Sequence, residues 1–434
     1  MKNLYFSFLM LLCAAITFAQ NNDFNNGGGD LLWSNTANWS LGVVPTTGNT
    51  GQVRLPLTVE SLVDTDVTIP KIQTTFATTG GNPAIAGSST LTIDAGANAA
   101  YGIENVSNND VSIIFNGNLT INNTTTDGIS NTLMRNQNGS GNAIIFGDGS
   151  LLTINTPLET RSGSTGTFNF NGTLAGTGAL RFNANTINTF GSTSDNTGHT
   201  GDFVWVGANA SVVVNSADNN VFLPSGQKIQ INAINGTIEV NGANVFQGNV
   251  VVGGSNTFTT DMNANQNGMG TIAFSADGTL NLDVDGAVTE LSFADSSAEA
   301  WNSGTLNITG FAEGVIRFGT DSNGLTAGQL TQISADNGGE ALALDASGFL
   351  INASTLSVDD LDADLNATRA YPTLASDKLY FTKPQNDIQI VGLSGNVVFK
   401  SEAENQSEVS VDFLAPGFYF VVFENQNVQK FIKK

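Results

Sequence analysis

Leu91-Thr-Ile-Asp94, Leu119-Thr-Ile-Asn122 and Leu152-Thr-Ile-Asn155 state one phrase three times: apolar, any residue, apolar, then Asn or Asp. The phrase returns as Leu180-Arg-Phe-Asn183, Val212-Val-Val-Asn215, Ile229-Gln-Ile-Asn232, Ile238-Glu-Val-Asn241 and Leu280-Asn-Leu-Asp283. Alternation with a period of two is a strand signal, and the closing Asn or Asp is a turn residue. From Asp94 to Asn215 the closing residues lie 28, 33, 28 and 32 apart by subtraction. A period of about 30 residues with strands inside it predicts a β-solenoid. The expected fold is all-β: a right-handed parallel β-helix over 61–345, followed by a small C-terminal β-sandwich.

Composition agrees. Only 12% of the 434 residues are charged, while apolar content is an ordinary 40% and Gly numbers 48. Many short strands and tight turns fit that mixture better than an acidic disordered chain does. The net charge of −23 excludes nucleic acid as a partner, because phosphate binding wants a basic stripe. Residues 20–370 hold eight Lys or Arg against thirty-one Asp or Glu, with no cluster of cations along the sequence.

At the start, Lys2 precedes an apolar run from Leu4 to Phe18 that ends in Thr17-Phe18-Ala19. Residues 1–19 read as a secretory signal peptide cut between Ala19 and Gln20. Cys13, the one cysteine, falls inside it, so the mature chain is expected to have neither disulfides nor a thiolate metal site. No later apolar stretch is long enough for a membrane span.

Residues 20–60 read as a spacer and N-terminal cap. Trp33 and Trp39, followed by Gly42-Val-Val-Pro45, resemble the opening of secreted β-helix proteins of the autotransporter type. Aromatic side chains there would cover the exposed strand edges of the first coil. The alternative role for the two Trp is a platform for stacking sugars. Thr197-Gly-His-Thr-Gly201 and Val212-Val-Val-Asn215 are similar to the autotransporter-associated repeat, with His199 at its usual Tyr position. Leu325 to Ile333 is expected to form one short helix closing the far end. Residues 346–370, with Asp359, Asp360, Asp362 and Asp364, read as an acidic linker.

The last segment, 371–434, changes character, with six Lys against seven Asp or Glu. Tyr371-Pro372, Asp377, the turn Gly392-Leu-Ser-Gly395, Gly417-Phe-Tyr419 and Lys430-Phe-Ile-Lys433-Lys434 resemble the type A sorting domain of type IX secretion. Thr373 and Leu374 depart from that family's first motif. The resemblance implies handling by the type IX machinery of a Gram-negative bacterium and its surface-attachment peptidase. It also implies removal of this domain, and attachment of the rest to the surface or its release.

Candidate chemistry is sparse. Asp283 and Asp285 stand i, i+2 on a strand, roughly 6.5–7 Å apart at the backbone, within range of acid/base glycoside chemistry. Glu239 joins them only if coils stack in register. His199 is the single histidine, expected to pack rather than act as a base. Asp360, Asp362 and Asp364 begin like a calcium loop, but Leu365 and Tyr371 stand where that loop needs Gly and Glu. Thr92, Thr120 and Thr153 suggest an outward Thr row, which the later phrases do not continue. No metal or cofactor is expected. The preferred reading is an exported, non-catalytic surface protein, an adhesin or matrix element presenting polar loops to glycans. Its rival is a β-helix polysaccharide-degrading enzyme, a lyase or glycoside hydrolase, using Asp283 and Asp285.

Overall fold

The computed structural model describes residues 20–76, 78, 81–96, 101–124, 132–137, 141–353, 368–424 and 428–434. The chain forms two compact units that divide at residues 354–355. The acidic linker Asp359 to Asp364 and the signal segment through Ala19 lie outside the described residues.

The first unit is a parallel β-solenoid, as the repeated phrase predicts. Its rungs form an eleven-stranded, a twelve-stranded and a six-stranded sheet, each with only parallel neighbours. A further three-stranded parallel sheet lies towards its C-terminal end. Most rungs turn their alternate apolar residues inward, so Leu91, Leu119, Leu152 and Leu174 stack in one column and Ile93, Ile121 and Ile154 in the next. Phe115, Phe146, Phe170 and Phe190 form an aromatic column, with ring centroids 5.3, 5.4 and 5.0 Å apart and near-parallel planes.

The phrase does not belong to one face, however. Leu91, Leu119 and Leu152 lie in the six-stranded sheet, but Leu180–Phe182 and Lys228–Ile231 belong to the eleven-stranded sheet. Ser211–Val214, Gly236–Val240 and Thr279–Val284 belong to the twelve-stranded one. The period of about 30 is correspondingly local. True coil lengths, read from paired residues, run from 33 (Leu119 to Leu152) through 22 (Leu152 to Leu174) to 19 (Val53 to Ile72). All three faces need the same inward-outward-inward rung, so all three generate the phrase, while loop length sets the interval between rungs.

Strands begin earlier than the spacer reading expects. Gln20–Asp23 pairs with Thr50–Leu55, which pairs with Ile72–Thr74, so the segment 20–60 already carries rungs. Phe24, Trp33 and Trp39 pack edge to face beside them with centroids about 5 Å apart, and the Trp39 indole N–H donates to the Trp33 carbonyl at 2.8 Å. Both Trp are buried, which removes them as a sugar platform. At the other end the expected helix is a single turn, Ala327–Leu330, held by a capping box between Thr326 and Gln329. Ile333–Ala335 is not helical but the last rung of the twelve-stranded sheet, and an antiparallel hairpin, Leu342–Leu344 with Leu350–Asn352, follows.

The second unit is a two-sheet β fold. A three-stranded sheet holds Ala370–Tyr371, Lys378–Gln385 and Gln406–Ser410. A five-stranded sheet holds Leu374–Ala375, Ile388–Gly392, Val397–Ser401, Gly417–Val422 and Val428–Lys433. The two sheets hold eight strands in all. Leu379, Phe381, Ile388, Ile390, Val421 and Phe431 are among the buried residues of its single core.

Candidate functional site

Stacking in register converts isolated outward residues into rows, and three rows carry polar or charged chemistry. The first is Thr68, Thr92, Thr120 and Thr153 on successive strands of the six-stranded sheet. Thr68 extends the row that the sequence suggests, and Ala175 ends it on the next strand.

The second row is acidic. Glu239 pairs with Asp261 and Asp261 with Asp283 on the twelve-stranded sheet, so three carboxylates stand one above another at the strand spacing of about 4.8 Å. Leu280, Leu282 and Val284 point inward, as expected, and Asp283 is partly exposed. Asp285 does not share the strand: it lies beyond its end, exposed, where its carboxylate accepts from the Ala287 N–H at 2.8 Å. It occupies the corner that Asn215, Asn241 and Asn263 hold in preceding coils, and those Asn donate to one another at 2.8 Å. Partial burial, then the charges of Glu239, Asp283 and Asp285, raise the Asp261 carboxyl above its ordinary range. Asp261 is the member that sequence reasoning missed. Its residue type offered no signal, because only the 22-residue coils on either side place it between the other two.

The third row is basic, and it overturns the reading that cations are scattered. Arg54, Lys71, Arg135, Arg161, Arg181 and Lys228 all lie on, or directly before, strands of the eleven-stranded sheet. Arg317 is the only other basic residue between 20 and 353. The residues flanking Arg54 and Arg181, Val53 with Leu55 and Leu180 with Phe182, are buried and nonpolar, so these cations face outward, while Arg135 and Arg161 alternate with buried polar Asn136 and Thr160. Two acids lie beneath them. Glu104 is 1% exposed and takes ion pairs from Lys71 and Arg135. Glu159, 3% exposed, accepts from Arg161 Nε at 2.7 Å, Arg181 Nε at 3.4 Å and Asn183 Nδ2 at 2.5 Å. Burial pushes the Glu159 carboxyl up, and the Arg161, Asn183 and Arg181 partners outweigh it, leaving the carboxyl below its usual value. The Arg135 guanidinium lies 4.1 Å over the Tyr101 ring.

His199 is buried against Phe203 at 5.4 Å, and burial lowers its pKa. It packs, and it faces no carboxylate pair. A hollow of about 390 Å³ lies beside Arg317, with Asp295 and Asp321 on its wall. Both acids accept from turn N–H groups two residues on, at 2.9 and 2.7 Å. Its hydrogen bonds with Ser297 hold Asp295 below the ordinary range, the reverse of what a general acid needs. Among the described residues there is no group of three or more His, Cys, Asp or Glu able to hold a metal ion. Nor is any helix there long and apolar enough to cross a membrane.

In the second unit, Gly417 and Tyr419 line a groove of about 660 Å³ with the turn Gly392–Asn396. Gly395 sits in that turn at φ +83°, a conformation open to glycine, and its N–H donates to Gly392. The Tyr419 hydroxyl donates to the Ala415 carbonyl at 2.9 Å while its ring stacks on Phe431. Gly417 pairs with Lys433, which puts the Gly-Phe-Tyr and terminal Lys motifs on neighbouring strands, and Lys434 follows as an exposed end. Tyr371 stacks on Tyr380 in the three-stranded sheet. Pro372 is exposed, and the Asp377 carbonyl accepts from Val411. The motif residues are therefore mostly turn and strand determinants of one small fold. No curated protein and no solved structure matches the chain. Residues 369–434 match the secretion system C-terminal sorting domain family, so the chain carries a type IX sorting domain behind a β-solenoid, and is a secreted or surface-attached protein.

Proposed function

We propose that the protein is a non-catalytic adhesin or matrix element of a Gram-negative cell surface, whose solenoid is the working part. In this reading residues 1–19 direct inner-membrane export and are cut before Gln20. The cap and body then cover 20–345, the linker 346–370, and the sorting domain 371–434 is removed by the surface-attachment peptidase. One observation carries the reading: the outward residues of the solenoid form in-register rows of Thr, Asn and acid on continuous sheets, and one sheet gathers most of the cations. Rows of this kind suit repeated surface contacts better than a single catalytic event.

The test is deletion of 369–434 in the native host with immunodetection of the body. Retention in the periplasm is the expected result, and normal surface delivery would refute the export part. One feature favours the rival enzyme, the raised Asp261 carboxyl between Glu239 and Asp283. A depolymerisation screen with the native chain and Asp261→Asn decides it. Polysaccharide cleavage that disappears in the variant would establish an enzyme and end the adhesin reading.

A further inference from the structure

The basic row is an electrostatic anomaly. Residues 20–370 carry eight basic and thirty-one acidic residues, a net of −23, yet one sheet gathers six of the eight cations. Across five successive strands, from Ile72–Thr74 to Leu180–Phe182, the cations Lys71, Arg135, Arg161 and Arg181 outnumber the acids Glu104 and Glu159 by four to two. The excess faces solvent. The two carboxylate side chains are 2% and 4% exposed, whereas Arg161 and Arg181 are 44% and 31% exposed. Anions approaching this sheet therefore meet guanidinium groups, with the neutralising carboxylates beneath them.

From these observations we infer that this row is a binding site for an acidic polysaccharide, a glycan bearing carboxylates, laid along the solenoid axis. The four steps between the five strands span about 19 Å at the usual strand spacing. Each step is close to the length of one sugar unit in an extended glycan, so uronates along it can meet the cations on four of the five rungs, Tyr101–Asn105 carrying none. Planar guanidinium groups suit carboxylates, since they donate two parallel hydrogen bonds. Nucleic acid is disfavoured: its dense phosphates, about one per 1.7 Å of duplex axis, are repelled by the surrounding acidic body. The site rests on the adhesin or matrix reading and deepens it by naming the class of glycan. Loss of export on deleting the sorting domain and loss of glycan binding are separate results.

The experiment uses the full chain and polygalacturonate oligomers in EDTA, with binding followed by biolayer interferometry. Neutral dextran and single-stranded DNA serve as comparisons. Saturable binding that weakens with added sodium chloride is expected, with dextran and DNA weaker. Arg161→Gln with Arg181→Gln should lower affinity about tenfold. Glu159→Gln removes one buried negative charge and should raise it, a gain that no loss of folding can mimic. Lys400→Gln, an exposed cation of the second unit outside this row, should leave it unchanged. Equal binding of dextran, or no gain in Glu159→Gln, would overturn the site. Tighter binding of DNA than of polygalacturonate would overturn the ligand class.

Discussion

The solenoid and the sorting domain solve the same problem, covering apolar strands, to different degrees. Ten of the fifteen large apolar side chains left exposed among the described residues belong to the short second unit, including Leu393, Val397, Phe418 and Ile432. Leu374, Phe418 and Ile432 are paired across neighbouring strands, so part of the exposure is a shared outward surface of the five-stranded sheet. In the solenoid a coil closes around its own interior, and each added coil covers both neighbours. A two-sheet domain of about 65 residues has one interior and two outer faces, and here an outer face stays apolar. The contrast separates a part built to persist from a part built to be handled.

The largest expected effect tests that contrast directly. Phe146→Ala, in the middle of the aromatic column, should cost about 3–5 kcal/mol and lower the melting temperature of the first unit sharply. Phe418→Ser should change the second unit's stability by no more than about 0.5 kcal/mol while reducing surface delivery. A Phe418→Ser variant that unfolds would show that this face is structural after all. Next in size, Glu104→Gln should destabilise the solenoid by about 1–3 kcal/mol, read in a denaturant titration, because Lys71 and Arg135 lose their common carboxylate. An unchanged midpoint would reduce the basic row to loosely held surface side chains.

Acidification separates the units in a third way. The His199 pKa is lowered from 6.5 by burial, so the unfolded chain binds its proton first. Its contribution is complete above about pH 6.5 and is lost as pH falls towards the depressed folded value. Glu159, lowered from 4.5, adds a loss at more acid pH. Melting curves between pH 7 and 5 should therefore show a decline in the first unit that His199→Phe abolishes. The smallest effect is of opposite sign. Asp261 has a raised carboxyl, so the folded chain binds its proton first and the cost of its charge disappears as pH falls through the raised value. Asp261→Asn should stabilise at neutral pH by about 0.5 kcal/mol, and less in high salt. Destabilisation would contradict repulsion along the acidic row.

The parts readable along the chain were those whose cause is local. Leu91-Thr-Ile-Asp94 and its kin announce inward-outward-inward rungs because a strand's period is two wherever it lies. Gly392 to Gly395 announces a turn because glycine alone adopts φ +83° without strain. Trp33 and Trp39 imply a covered coil end, and their burial follows from their bulk. The sorting domain is legible for the same reason, since Gly417-Phe-Tyr419 and the terminal lysines act within 66 residues.

What stands beside what across coils was decided only by the tertiary structure. Arg135 and Arg161 are 26 residues apart and pair across neighbouring strands, while Arg161 and Arg181 are separated by 20 and meet over Glu159. Glu239, Asp261 and Asp283 align because two consecutive coils each have 22 residues. Loops fix those intervals, and loop length changes from coil to coil without disturbing the strand phrase. The sequence alone determines that rungs exist and which residues each turns outward. The three-dimensional stacking determines which outward residues become neighbours, and with them the basic row, the acidic row and whatever either one binds.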